Sequence, residues 1–282
     1  MGNIVQVKPI FRIDAPSAED LDAFHRDGFV AYPEVFSDEA LKGFIDEIHS
    51  REQVTDYFKN NNKGEPDEHG MNIRPWNNKG PWSDQLFDAS LVTALLQSII
   101  GENFQFCHST MHIKMRGGKG IQPHMDHHHW FHNNPVNIAE RDKWYVQMLY
   151  YPNGFKGGDA SLAVISGSPR IVPVPGKQSH YDTLEEMLEG VGNEQAGCEL
   201  KVKHFELPPG SMVCLNARTY HAVTPKPLDS PQEYRIFCNY IFKEAGPPHR
   251  HTQAIPLDWL EDVSPKRRKL FDREPYTEVC WE

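Results

Sequence analysis

A mainly β fold, a sandwich or barrel with helices flanking it at its N-terminal side, is predicted by three features of this sequence. From Phe104 onward, short runs rich in Val, Ile, Tyr and Phe recur, bounded by turns such as GGKG, PNGFKGG and PPG. Before that point the apolar residues fall at helical spacing instead. Few helical stretches separate the later runs, which disfavours the strand–helix alternation of a parallel α/β sheet.

The elements follow in order. Ser17 caps a first helix, with Asp20 closing a capping box, Leu21 and Phe24 on its buried side, and Gly28 ending it. Phe29 to Tyr32 is a short strand. Ser37 caps a second helix carrying Leu41, Phe44, Ile45 and Ile48 at helical spacing. Residues 53–82 are polar and rich in Asn, Gly and Pro, with Trp76 and Trp82 inside them, and are expected to form an irregular lid or rim. Ser83 is expected to cap a third helix through Leu86, Leu91, Leu95 and Ile99, ended by Gly101. Strands are expected at 104–115, 121–127, 144–151, 161–165, 200–207, 211–216, 220–224 and 233–242, with a short helix at 182–190. The whole chain is expected to be one domain: a helical part over 1–103, a β core over 104–245 and a tail over 246–282.

Composition narrows the function. At 282 residues and 39% hydrophobic, the chain has material for one sizeable core. A net charge of −10 argues against nucleic acid as a partner. The basic run Lys266-Arg267-Arg268-Lys269 is expected to be a solvated helix face. Five cysteines without paired spacing fit reduced thiols, with Cys214 and Cys238 as small core residues, on neighbouring strands at most. The start, MGNIVQVKPIFRID, has no long apolar stretch, and the best apolar run, Leu91 to Ile100, is half a membrane span. A cytoplasmic protein with no membrane or nucleic-acid partner is expected.

The chemistry is carried by His124-Met125-Asp126, with His221 and Arg235 far downstream. Residues two apart on a strand share a face, so His124 and Asp126 can grip one ion. His221 ends the segment PGSMVCLNARTYHAV, where a Pro-Gly turn feeds an apolar strand that delivers the imidazole at its end. Together the three form a two-His-one-carboxylate set, which suits Fe(II) with an open face for other ligands. Arg235, on the next strand, suits bidentate binding of a carboxylate. A metal triad with a carboxylate anchor is the minimal equipment of a 2-oxoglutarate-dependent dioxygenase. His128 shares the face of His124 and Asp126, so a three-His cupin-like site stays open; the run His127 to His129 otherwise lines the cleft or supports the ligands.

At this point the chain resembles the phytanoyl-CoA dioxygenase superfamily of Fe(II)/2-oxoglutarate oxygenases. LDAFHRDGFVAYPEVFSDEALKGFIDEI is similar to that family's opening, HMD to its metal pair, FKGGDASLAVISGSPR to its central segment with Pro169-Arg170 replacing a His, and PGSMVCLNARTYHAV to the strand of the last ligand. The resemblance implies a double-stranded β-helix of jelly-roll or cupin type, with N-terminal helices packed outside. The stretch HSTMHIKMRGGKGIQPHMDHHHW looks most like the ectoine- and amino-acid-hydroxylase branch. By that match His108 and His112 stand where Gln and Asn contact 2-oxoglutarate, and Trp130 stands at an active-site Trp. Thr110 and Lys114 share the strand face of His108 and His112. The segment KPLDSPQE at 226–233 resembles a small insertion before Arg235. Asp126 stands where halogenating relatives carry a small residue, which disfavours halogenation.

The reading is thus an enzyme using Fe(II), 2-oxoglutarate and O2 to hydroxylate, or otherwise oxidise, an unactivated C–H bond. His124, Asp126 and His221 are its catalytic metal ligands. Arg235, His112, His108 and Lys114 are its candidate cosubstrate contacts, and Trp130, Thr110, His128 and Arg116 its candidate substrate contacts. The polar cleft favours a small polar molecule, amino-acid-like or a natural-product intermediate. Two rivals remain open: a cupin-like metalloenzyme that needs no 2-oxoglutarate, and a non-catalytic β-barrel that binds a small molecule.

Overall fold

The computed structural model describes residues 9–61, 67–74, 76, 80–126, 145–170, 181–191, 198–245 and 264–271. His128 and Trp130 lie outside them, as do the rest of the run 127–144, Cys280 and most of the 246–282 tail.

Helix α1 (Ala18–Asp27) starts where expected. Ser17 Oγ accepts from Asp20 N, and the Asp20 carboxylate accepts in return from Ser17 N. Gly28 ends it at φ 90°, a left-handed conformation that favours glycine. A Cβ there would also meet Thr219 Oγ1 at 2.4 Å. The Gly28 carbonyl accepts from Asn216 N and Thr219 Oγ1, both at 2.9 Å, so the helix end is tied to the turn that presents His221. Strand β1 (Phe29–Tyr32) and helix α2 (Asp38–His49), capped by Ser37, follow.

The polar stretch after residue 52 holds more regular structure than its composition promised. Helix α3 (Glu52–Asn61) and strand β2 (Met71–Ile73) lie within it, and Trp76 is fully buried. Ser83 is not a helix cap. It is buried with its hydroxyl on the Glu47 carboxylate, a 3-10 turn covers Asp84–Phe87, and helix α4 (Ser90–Ile99) starts only after Ala89. The half-buried acceptor Glu47, from α2, took a hydroxyl that local sequence assigned to a helix end.

Strands β3 (Phe104–Met115), β4 (Ile121–His124), β5 (Val146–Tyr151) and β6 (Leu162–Ser166) precede the short helix α5 (Leu184–Val191). Then come β7 (Lys201–His204), β8 (Ser211–Asn216), β9 (His221–Val223), β10 (Tyr234–Glu244) and helix α6 (Pro265–Phe271). A six-stranded sheet has the order β1-β8-β5-β10-β3-β2, and a four-stranded sheet the order β4-β9-β6-β7. Every pairing is antiparallel. This is the double-stranded β-helix, with the helices outside.

Alternation decides which residues meet what. On β3, β5 and β10 one face carries Met111, Ile113, Met148, Tyr150, Ile236, Cys238 and Tyr240, which join Phe24, Phe44 and Leu95 from the helices in the largest core. Cys214 and Cys238 both lie there as free thiols, on strands that flank β5 rather than pair with each other. The opposite face looks toward the small sheet, where Leu149, Tyr151, Leu162, Val164 and Phe205 form a second core. The basic run at 266–269 is more than a solvated face. Arg267 donates to Asp84 at 2.8 Å and to Asp88 at 2.6 Å, pinning α6 to the body.

Phe106 packs edge-on against Phe87 at 4.8 Å and Phe271 at 5.7 Å, fully buried beneath α6. Phe106→Ala is expected to cost about 3–5 kcal/mol through lost contacts and a cavity. Urea denaturation should show a lower midpoint at an unchanged m-value.

Candidate metal centre and its cavity

His124 closes β4, and His221 opens β9 directly opposite it in register. Asp126 lies just past β4, its backbone N–H donating to the Ala217 carbonyl at 3.0 Å. His124 Nε2 stands 3.7 Å from Asp126 Oδ1, and His221 Nε2 stands 3.7 Å from Asp126 Oδ2. One donor atom from each of the three lies within 4.8 Å of the others. Donors that share one ion at about 2.1 Å lie about 3–4 Å apart, so little adjustment closes the set.

The tautomers are set by the backbone. His124 Nδ1 is 2.7 Å from the Gln122 carbonyl and His221 Nδ1 is 2.9 Å from the Thr219 carbonyl. A carbonyl only accepts, so Nδ1 carries the proton and Nε2 keeps its lone pair for an ion. Burial, and then the neighbouring His124, hold His221 below the usual histidine range, in the neutral form a ligand needs. Asp126 is oriented by a chain: Gln147 Nε2 donates to its Oδ2, and Asn239 Nδ2 donates to Gln147 Oε1 at 2.7 Å.

The centre opens on a cavity of about 520 Å³ between the sheets. Three stripes of the large sheet line it: Thr110, His112 and Lys114 from β3, Gln147, Leu149 and Tyr151 from β5, and Arg235, Phe237 and Asn239 from β10. Arg235 is 2% exposed, and its Nε has no hydrogen-bond partner among the described residues. Its guanidinium lies 5.8 Å from the Tyr151 ring and 5.4 Å from that of Phe237. Burial lowers its pKa, yet a guanidinium stays charged. Directly across from it on β3 is Lys114, whose ammonium donates to the Lys119 carbonyl. Burial, and then Arg235, bring Lys114 down to about 8. His112 is held down to about 3 by burial and then by Arg235, Arg74 and Lys114, so its ring is neutral among cations.

The structure therefore brings His124, Asp126, His221, Arg235, His112, Lys114 and Thr110 to one cavity. Two expected contacts lie elsewhere. His108 sits off the cavity, its Nε2 at 2.6 Å from the Tyr145 hydroxyl, because its stretch of β3 runs past the cavity toward a register shift at Ile241/Phe242. Arg116 donates to the Ser230 and Pro231 carbonyls at 2.7 and 3.4 Å and thereby fixes the 226–233 loop. Gln147, Asn239 and Arg74 were not foreseen. The first two carried a usable signal, a lone amide in each of the apolar strands VQMLYY and FCNYIF.

The family model described as phytanoyl-CoA dioxygenase (PhyH) matches residues 24–226, well over half the chain. No curated protein sequence matches it. Among solved structures, HygX from Streptomyces hygroscopicus with nickel and 2-oxoglutarate bound is similar at TM-score 0.58 and 13% identity, over 82% of this chain and 87% of that one. The non-heme α-ketoglutarate-dependent carbocyclase SnoK from nogalamycin biosynthesis is similar at 0.58 and 14%, over 92% and 95%. EctD from S. alaskensis with 2-oxoglutarate and 5-hydroxyectoine is similar at 0.57 and 17%, over 85% and 80%. At such identities the likeness speaks for the fold alone.

Proposed function

The chain belongs to the phytanoyl-CoA dioxygenase family, and from that premise we propose that it is an Fe(II)/2-oxoglutarate-dependent oxygenase that hydroxylates a C–H bond of a small polar molecule. One observation carries the reading: the His124, Asp126 and His221 donors open on the same cavity as the buried Arg235. The residues fit the groups they would hold. Two imidazole nitrogens and one carboxylate on one side of an ion suit iron and leave the other side open. A buried guanidinium with an unpartnered Nε suits a carboxylate. Bound iron, 2-oxoglutarate and O2 would supply an oxidant strong enough for an unactivated C–H bond.

The protein's own part is placement. Arg235 holds the cosubstrate's far carboxylate, with Lys114 adding positive charge beside it. Neutral His112 offers a hydrogen bond without a second charge. Leu149, Tyr151 and Phe237 add apolar surface beside those cations and restrict water there. The similar structures include an epimerase and a carbocyclase as well as EctD. Which outcome follows is decided by where the substrate's C–H bond sits; the polar lining supports a small polar molecule as the substrate.

Anaerobic ultraviolet–visible titration tests the reading. A weak charge-transfer band should appear only when both Fe(II) and 2-oxoglutarate are added. Binding of iron alone, with no response to 2-oxoglutarate, would favour a cupin-like enzyme that needs no cosubstrate. Binding of neither would favour a non-catalytic barrel.

A further inference from the structure

Arg235 is held in place from outside the cavity. Its strand β10 pairs with β3 along its length, with Lys114 opposite Arg235. On the other side the register with β5 ends at Cys238 and Tyr150, before the strand reaches Arg235. Asn153, in the turn that follows β5, takes over there. Asn153 Nδ2 donates to the Tyr234 carbonyl and Asn153 Oδ1 accepts from Ile236 N, both at 2.8 Å. One side-chain amide thus closes on the backbone of both residues that flank Arg235.

The turn is itself fixed. Gly154 adopts φ 63°, and a Cβ there would meet the Leu207 carbonyl oxygen at 2.5 Å. Gln232 Nε2 donates to the Asn153 and Gly154 carbonyls at 2.8 and 3.3 Å, and Gln232 N donates to Ser230 Oγ at 3.1 Å. The Ser230 hydroxyl donates to Asp159 Oδ2 at 2.5 Å. The buried Lys226 ammonium donates to Asp159 Oδ1 at 2.7 Å and to Ser230 Oγ at 3.0 Å. The 226–233 loop is therefore tied at two points to the connection after β5, at Asp159 and at Asn153–Gly154. A buried ion pair is costly to break, which makes this one a firm anchor for the loop.

Resting on the function proposed above, we propose that Asn153 is a positioning residue for the cosubstrate. By fixing the backbone on both sides of Arg235 it sets the span from metal to guanidinium, and so the length of 2-oxo diacid that the site accepts. A chelated 2-oxo acid brings its far carboxylate to a bidentate guanidinium at one chain length only, provided the guanidinium cannot shift. Lys226, Asp159, Ser230 and Gln232 act on the site through Asn153.

Charge-transfer titrations of the anaerobic, Fe(II)-loaded protein with 2-oxoglutarate and with 2-oxoadipate, one methylene longer, test this. The native protein should favour 2-oxoglutarate. In Asn153→Ala, affinity for 2-oxoglutarate should fall about tenfold or more, and that for 2-oxoadipate by less, so the ratio between them narrows. Gln232→Leu, which leaves both bonds to β10 in place, should move the ratio the same way by a smaller factor, and it decides the matter if Asn153→Ala does not fold. Phe106→Ala controls for lost stability and should keep the native ratio. A native protein that binds both acids equally, an unchanged ratio in the deciding variant whatever its affinities, or an equal narrowing in Phe106→Ala would overturn the assignment. A native protein without the charge-transfer band would overturn the proposed function itself, and this assignment with it, a failure distinct from the others.

Discussion

Arg235→Ala is expected to weaken 2-oxoglutarate binding by about two to three orders of magnitude while leaving iron binding close to that of the native protein. The size follows from burial. Arg235 is 2% exposed, so water does little to replace it, and truncating one partner of a buried charge pair costs about 2–5 kcal/mol. The split between ligands follows from position: Arg235 sits on β10 over Tyr151 and Phe237 and is not among the groups that can hold the ion. The charge-transfer titration reads both, since the iron step and the 2-oxoglutarate step are separate additions. Unchanged 2-oxoglutarate affinity would show that the cosubstrate docks elsewhere. The same titration should carry a pH signature from Lys114. Its pKa is lowered to about 8, so the ammonium is charged below that value and loses its charge above it. Affinity for 2-oxoglutarate should therefore fall as pH rises through about 8, and Lys114→Gln should be flat over that range.

How much of this was readable in the sequence depends on the distance over which each residue's partners act. The capping box of Ser17 and Asp20 is closed within four residues, and it was legible. His124 and Asp126 declare themselves through a two-residue spacing, and Arg235 through its place on the strand that follows His221. Ser83 has the same local grammar as Ser17, yet its hydroxyl goes to Glu47, on a helix far away in sequence. His108 and His112 alternate properly on one strand, but a strand face is longer than a cavity, and only the structure shows where the cavity ends. Arg116 was counted among the polar groups of the cleft; its partners, the Ser230 and Pro231 carbonyls, lie across the fold. Arg74 sat inside a stretch whose polar composition concealed β2, and the pairing of that short strand with β3 is what brings Arg74 to the cavity.

Asp126→Ala should abolish turnover, with a loss of at least about a thousandfold, because two imidazoles alone neither fix the ion's geometry nor offset its charge. The change also strands the Gln147 amide, which now donates to the carboxylate and is itself held by Asn239. An unmet buried donor costs about 1–3 kcal/mol. The apoprotein should thus be modestly less stable, though the two histidines, each anchored by a backbone carbonyl, keep their places. Gln147→Leu separates the two effects. It leaves all three ligands present but removes the Gln147 hydrogen bond to the carboxylate, and loss of such an orienting partner typically costs about 10–100-fold in metal affinity or activity. Competition against a metal-binding dye would place the variants in order: native, then Gln147→Leu, then Asp126→Ala. An Asp126→Ala protein that binds iron as tightly as the native one would mean that another residue supplies the third ligand. His128, two positions on, is the candidate the sequence offers, and His128→Ala in the native background would then lose the ion instead.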